Sequence, residues 1–361
     1  MHKDFSAKIM SNVKAQSSNY FDIWILKFGF NKIRLGLFII PVLILLILSC
    51  AKEPPIFKKS KFLMDTVVTI TAVGTKDEVE KVIDATFSEI ERLENLMSGF
   101  KEGSDVDRIN KSAGIGPVKV NRDVINVIAK AKEISEITGG AFDITIGPLS
   151  KLWGFGVKKE YIPQEDDIKK LLPLIDYRQI SVDESKSEVF LNKNGMMIDL
   201  GGIAKGYAAD RGVEILKNMG IKAGIVAVSG DIRTFGKRPD GKAWHIGIKH
   251  PRESEKVLTA IDLEDSSIST SGDYERFFIK DRRRYNHILN PKSGYPATGC
   301  QSVTIISKEG ILVDALATGV FVLGTEKGME FIESNKSIEG IIVDSKGEVK
   351  VSSGLRGKVG L

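Results

Sequence analysis

The sequence predicts an α+β protein with mixed or largely antiparallel sheets and flanking helices. Strand-like segments cluster between helices without the strict strand-helix alternation of a doubly wound fold. Two long stretches, 75–97 and 122–138, carry apolar residues at helical spacing. With only two cysteines, Cys50 and Cys300, no disulfide framework can replace a core, so the 42% apolar residues of a 361-residue chain must build it.

The chain begins with an address. Residues 35–48, LGLFIIPVLILLIL, follow the basic NKIR and end in Ser49-Cys50 before the polar AKEPP. A basic region, a short apolar run and a small residue before the junction describe a secretory signal over residues 1–49. The run is short for a span of about 20 residues. ILS before Cys50 resembles the bacterial lipobox, so Cys50 is the expected lipidation site and new N-terminus. The competing reading is an uncut anchor with an ordinary thiol, and translation starting nearer Met10 would shorten the unusually long leader. Residues 50–61 then form a polar tether, and 62–355 the folded domain, exported and lipid-anchored to the bacterial membrane, facing the periplasm or the outside.

Along that domain, FLMDTVVTITAVG (62–74) reads as a strand. A helix follows over 75–97, opened by a Thr75/Glu78 capping box, and a second over 122–138, stopped by Gly139-Gly140. SGFKEGSDVDRIN between them reads as a loop. EVFL and MMIDL flank NKNG as a hairpin, and from Ile203 to Gly220 the pattern is helical. Strands recur at AGIVAVSG, WHIGIK, VLTAIDL, SIST, RFFIK, YNHIL and SVTIIS. Helices over 312–323 and 326–334 and the strand pair GIIVD and VKVS complete the chain.

The formal charge of +5 is mostly in the leader. Six basic residues and two acids precede residue 35, which leaves the rest of the chain near neutral and gives nucleic acid no basic face. The run DRRR at 281–284 reads as a solvated hairpin tip.

Four segments carry candidate chemistry. In DLGGIAKGYAAD (199–210) Asp199 closes a strand, Gly201 and Gly202 allow a ligand close to the backbone, and the helix from Ile203 aims amide donors there, with Lys205 adding charge to a phosphate. A plain tight turn is the competing reading. In VDALATG (313–319) Asp314 and Thr318 lie four apart on one helix face, a carboxylate and hydroxyl suited to a hard cation such as Mg2+. Taken alone, Asp314 as a helix cap is the better reading. His287, in YNHILNPKSGYPATG, is a candidate general base, although a lone histidine is usually structural. In GGAFDITIGPLSKLWGFG, Phe142 and Asp143 offer a ring an apolar face and a hydrogen-bonding partner, against a core strand as the plain alternative. No Cys/His cluster, nucleophile elbow or Walker loop is present.

Together, MDT at 64–66, LMSGF at 96–100, AFD at 141–143, DLGGIAKGYAAD, SGD at 229–231, HILNPKSG at 287–294 and DALAT at 314–318 resemble the ApbE family of bacterial FAD:protein FMN transferases, over residues 62–351. The resemblance implies an ApbE-like flavin transferase fold around an FAD cleft, with FAD as substrate and Mg2+ on its pyrophosphate. FMN passes to a Thr or Ser hydroxyl of an exported or membrane acceptor flavoprotein, commonly in a membrane redox complex, and AMP leaves. It implies FAD contacts at Met64, Phe100, Ala141, Phe142, Asp143, Asp199, Lys205 and Ile288. Metal ligation falls to the Asp314 and Thr318 side chains and the Gly202 carbonyl. The base expected from the residues themselves is His287. A Mg-dependent FAD pyrophosphatase, with water in place of the acceptor, or a non-catalytic FAD-binding lipoprotein are the alternatives. The sequence departs from the family pattern at Asp65 and Ser229, where glycine is usual, at Phe100 for tyrosine, and at Asn290 for aspartate.

Overall fold

A computed structural model of the chain describes residues 53–155 and 160–360. The expected signal and lipidation site Cys50 lie outside the described residues. Among the described residues no helix is long and apolar enough to cross a membrane.

The segment 62–74, read above as one strand, is divided by a turn, and residues 56–61, expected in the polar tether, belong to the first strand because they pair with the second over their whole length. β1 (Ile56–Leu63) and β2 (Thr66–Val73) pair antiparallel through the two-residue turn Met64-Asp65, with φ of 53° and 56°. Left-handed backbone at both central positions matches the right-handed twist of a hairpin. Aspartate is among the few non-glycine residues that take it readily, so Asp65 is compatible with the turn.

α1 (Lys76–Met97) opens on the expected Thr75/Glu78 pair, with the Glu78 carboxylate accepting from the Thr75 amide at 3.3 Å and from its hydroxyl at 2.7 Å. It buries Val79, Val82, Ile83, Ile90 and Leu93. The expected loop after it contains a two-turn helix, α2 (Asp105–Lys111), because Ser104 accepts from the Asp107 amide and caps it. α3 (Arg122–Ile137) is where periodicity puts it.

The expected EVFL/MMIDL hairpin does not form. β5 (Glu188–Leu191) pairs instead with β4 (Ile180–Asp183) and β3 (Val118–Lys119), and Met197 makes only an isolated parallel bridge to Ile146. Asp183 decides this: its carboxylate accepts from the Ser185 and Lys186 amides, closing a turn before β5. The GGAFDITIG segment is likewise not a strand, but turns that lead into α4 (Gly147–Trp153), and α5 (Glu165–Leu171) follows.

Downstream come α6 (Ala204–Asn218), β6 (Gly224–Val228), β7 (Asp231–Phe235), β8 (Trp244–Lys249), β9 (Val257–Leu263), β10 (Ser267–Gly272), β11 (Phe277–Lys280), β12 (Arg283–Asn286) and β13 (Cys300–Ser307). α7 (Gly310–Leu323), α8 (Thr325–Ser334), β14 (Glu339–Asp344) and β15 (Val349–Val351) end the chain. The main sheet has eight strands in the order β1-β2-β6-β7-β10-β13-β14-β15, and every pairing in it is antiparallel.

One face of this sheet carries α1, α6 and α7, and the main core lies between. The β8–β9 hairpin covers the other, where Trp244, Ile246 and Ile261 meet Ile232, Ile268 and Ile341. α7 is apolar on nearly every side, as its buried position requires.

α6 and α7 touch backbone to backbone. A Cβ on Gly206 would stand 2.1 Å from the Gly310 carbonyl oxygen and 2.8 Å from Asp314 Cβ, and one on Gly310 would stand 2.5 Å from the Gly206 oxygen. Asp210 of α6 fixes the crossing by accepting from the Gly310 and Ile311 amides at 2.8 and 2.9 Å. Gly206→Ala is expected to push the helices apart and cost about 3 kcal/mol, measured as a fall in the denaturant midpoint.

Candidate active site

The close crossing puts Asp314, one turn into α7, against the first turn of α6. Asp314 Oδ2 accepts from the Gly206 amide at 2.9 Å, and Oδ1 lies 3.2 Å from Lys205 Nζ. Lys205 also pairs at 2.8 Å with Asp231, the first residue of β7. Asp231 in turn accepts from the Ser269 hydroxyl at 2.5 Å. Both carboxylates are buried.

Asp231 reaches this place through Ser229-Gly230, the turn between β6 and β7. Ser229 sits at φ 59°, and its amide donates to the Val67 carbonyl at 3.1 Å, beside the Met64-Asp65 turn. Serine where glycine is usual is thus accommodated at the cost of left-handed backbone, about 1 kcal/mol.

Two carboxylates and one ammonium, all ionised, leave one net negative charge in a buried site. Burial and the Asp231 charge push the Asp314 pKa up, against the pull of Lys205 and the Gly206 amide. For Lys205 burial works against the ammonium, but Asp231 and Asp314 outweigh it and its pKa is raised. An anion this poorly compensated invites a further positive charge.

The donors for one are adjacent. Thr318 lies one turn beyond Asp314, its Oγ1 3.4 Å from the point where a Gly202 Cβ would be and 3.2 Å from Ser271 Oγ. Among the described residues no backbone amide donates to the Gly202 carbonyl, whereas Leu200 and Ile203 carbonyls take helix bonds. The expected fan of amide donors at this helix start is reduced. The Ile203 and Ala204 amides go to Leu200 and the Gly206 amide to Asp314. The turn offers oxygen acceptors more than N–H donors because the crossing helix uses the donors first. A carboxylate, a hydroxyl and a carbonyl form a hard-cation donor set.

Phe142 shares the place. Its ring lies 3.4 Å from the Gly202 Cβ position, and its Cβ 3.2 Å from that of Gly319. The Asp143 carboxylate is engaged within the loop, accepting from the Thr145 amide and hydroxyl and the Tyr177 amide, so it is not the free ring partner expected above. Asp199 caps the glycine turn by accepting from the Gly201 amide at 2.9 Å, while its own amide donates to Ile144. Ala141 and Ile288 are buried. Met64 is partly buried at its turn, and Phe100, 88% exposed, stands in a turn after α1.

His287 follows β12, and its amide donates to the Arg276 carbonyl at 3.0 Å. The residue is half-buried, yet Nδ1 is sealed with no hydrogen-bond partner. Burial lowers its pKa to about 4, helped by the charges of Arg276 and Lys205, so the imidazole is neutral at neutral pH. The loop after it is held by Asn290, whose side chain accepts from the Lys292 amide at 2.9 Å, as an aspartate would. Trp153 donates to the Gly294 carbonyl at 2.8 Å.

The structure thus gathers Phe142, Gly202, Lys205, Asp314 and Thr318, with His287 within electrostatic reach of Lys205. Sequence reasoning quoted SGD without giving Asp231 a role and did not single out Ser269, Ser271 or Asp210. Asp210 lies inside the quoted DLGGIAKGYAAD, but nothing local says that it caps a helix a hundred residues away.

The family model described as the ApbE family matches residues 64–342. A Klebsiella pneumoniae protein named FAD:protein FMN transferase is 36% identical over 276 residues, covering 76% of this chain and 85% of its own. One of the same name from Haemophilus influenzae is 31% identical, over 80% of this chain and 86% of its own. Among solved structures, the ApbE protein of Thermotoga maritima superposes with a TM-score of 0.79 at 34% identity, over 84% of this chain and 99% of that one. The apo flavinyl transferase ApbE of Pseudomonas stutzeri gives 0.77 at 29%, over 86% and 99%.

Lys205→Met would leave two buried carboxylates facing each other. We expect a loss of about 3–5 kcal/mol in folding stability, read by denaturant unfolding without divalent cations.

Proposed function

The chain belongs to the ApbE family, and from that premise we propose that it is an enzyme that transfers FMN from FAD to a protein, with the Lys205–Asp231–Asp314 cluster at its centre. The observation that carries the assignment of residues is that two buried carboxylates share one lysine beside the Thr318 hydroxyl and the glycine turn at Gly202. In finer terms, a Thr or Ser hydroxyl of the acceptor attacks the FMN-side phosphorus of FAD. The new O–P bond forms as the pyrophosphate bond to AMP breaks, and the hydroxyl proton passes to the histidine.

Asp314, Thr318 and the Gly202 carbonyl would hold one Mg2+, and when bound it supplies positive charge to the phosphate oxygens as AMP departs. Lys205, kept charged by its two carboxylates, orients a phosphate oxygen at the same place. His287 accepts the proton at Nε2, because its ring is neutral and Nδ1 is sealed from an incoming hydroxyl. Phe142 gives an apolar wall beside the glycine turn, and Ala141, Ile288, Met64, Phe100, Asp143 and Asp199 complete the FAD surroundings. The chain is exported and held at the membrane by lipidated Cys50, which would bring it to membrane-bound acceptors.

Incubation with FAD, Mg2+ and an apo-flavoprotein acceptor is expected to add the mass of FMN to a Thr or Ser of that acceptor. No added mass, with free FMN and AMP released instead, would make the enzyme a pyrophosphatase. Asp314→Ala should lower transfer by at least 100-fold, about 3 kcal/mol.

The pH profile tests His287. With a folded pKa near 4, below the usual 6.5, the folded ring stays unprotonated down to about pH 5. The acid limb of kcat/KM attributable to it should fall near pH 4 and vanish in His287→Gln. The unfolded chain takes up a proton below pH 6.5 that the folded one refuses, so this residue lowers folding stability progressively from pH 6.5 toward 4.

A further inference from the structure

We infer that the β11–β12 hairpin is the surface on which the enzyme receives the acceptor, and that the acceptor meets it with an acidic face. This rests on the reading that a protein is the recipient of FMN.

The hairpin is a local concentration of net positive charge in a folded part that is otherwise net acidic. Residues 276–284 carry Arg276, Lys280, Arg282, Arg283 and Arg284 against the single acid Asp281, with Glu275 just before, whereas the rest of the chain beyond residue 34 is net acidic. Arg284 is already engaged, lying over the Phe277 ring at 3.8 Å and near Asp273. Among the described residues, Arg276, Lys280, Arg282 and Arg283 have no carboxylate within ion-pair distance, and all four are exposed. Beside them Phe277 and Ile279 are 41% and 54% exposed. A solvated turn explains two or three cations at a tip; it does not explain two large apolar side chains in their midst.

The hairpin is anchored at its base and joined to the site. Its inner face is seated by Phe278 and Tyr285, which stack at 5.0 Å and continue onto Phe155 and Trp153. Its base is pinned where the His287 amide meets the Arg276 carbonyl. β12 ends at Asn286, one residue before His287, and four residues of strand at about 3.3 Å each place the tip about 13 Å from the histidine. Whatever delivers a hydroxyl to His287 lies alongside this arm. Cations on such an arm attract an acidic partner and fix its approach. An anionic bilayer seated on the same arm would lie against the histidine end of the site, which disfavours lipid as the occupant.

The test uses the full chain in detergent and two fluorescent probes. One is a 15-residue peptide with a central threonine flanked by aspartates; the other is its twin with asparagines. Wild type is expected to bind the aspartate peptide at least tenfold more tightly, with the preference shrinking as salt rises from 50 to 300 mM. Lys280→Gln/Arg282→Gln/Arg283→Gln should abolish the preference while FAD affinity and thermal midpoint stay unchanged. Equal binding of the two peptides by wild type, or a preference that survives the triple substitution, would overturn the proposal. So would a triple variant that keeps the peptide preference but loses binding to vesicles containing phosphatidylglycerol, since the arm would then be a lipid contact. Charge-selective binding without FMN transfer to any acceptor would instead count against the transfer reading alone.

Discussion

The backbone contact between Gly206 and Gly310 is the constraint on which the site depends. Any side chain at either position would hold the helices further apart, and the Gly206 amide could not reach Asp314. Asp210 supports the same contact from the other direction by capping the helix that carries Asp314. One short motif therefore supplies the glycine that permits the crossing, the carboxylate that fixes it and the lysine that answers the charge it buries.

The consequence is a site built from oxygen atoms with one ammonium among them. Such a cluster would be unfavourable in a core, where breaking or burying charge without compensation costs several kcal/mol. Here it lies where the β6–β7 turn and the first turns of two helices converge, with Lys205 partly exposed beside it. The histidine stands under the opposite regime, neutral and sealed at one nitrogen. Neighbouring charge and burial thus set the two differently, the lysine held charged and the imidazole neutral.

Legibility followed the range of the interactions. Helices α1, α3 and α6 are legible in the apolar pattern because each buries one face, whereas α7 is apolar on nearly every side. Local pattern misleads where a single polar side chain redirects the chain. Asp183 closed a turn that moved the β5 partner, Ser104 capped a helix inside an expected loop, and Met64-Asp65 divided a strand whose composition is uniform.

The sequence by itself determined the family, the fold class and the pairing of Asp314 with Thr318, since four residues along a helix is a local distance. It also held the charge of the β11–β12 arm, although not its exposure or its seat beside His287. Tertiary structure alone decided that Asp231 and Asp314, 83 positions apart in sequence, share one lysine, and that the helix-start amides are already engaged. The physical reason is that burial, and with it the balance of charge and hydrogen bonds, depends on which segments meet, and no local pattern encodes that meeting.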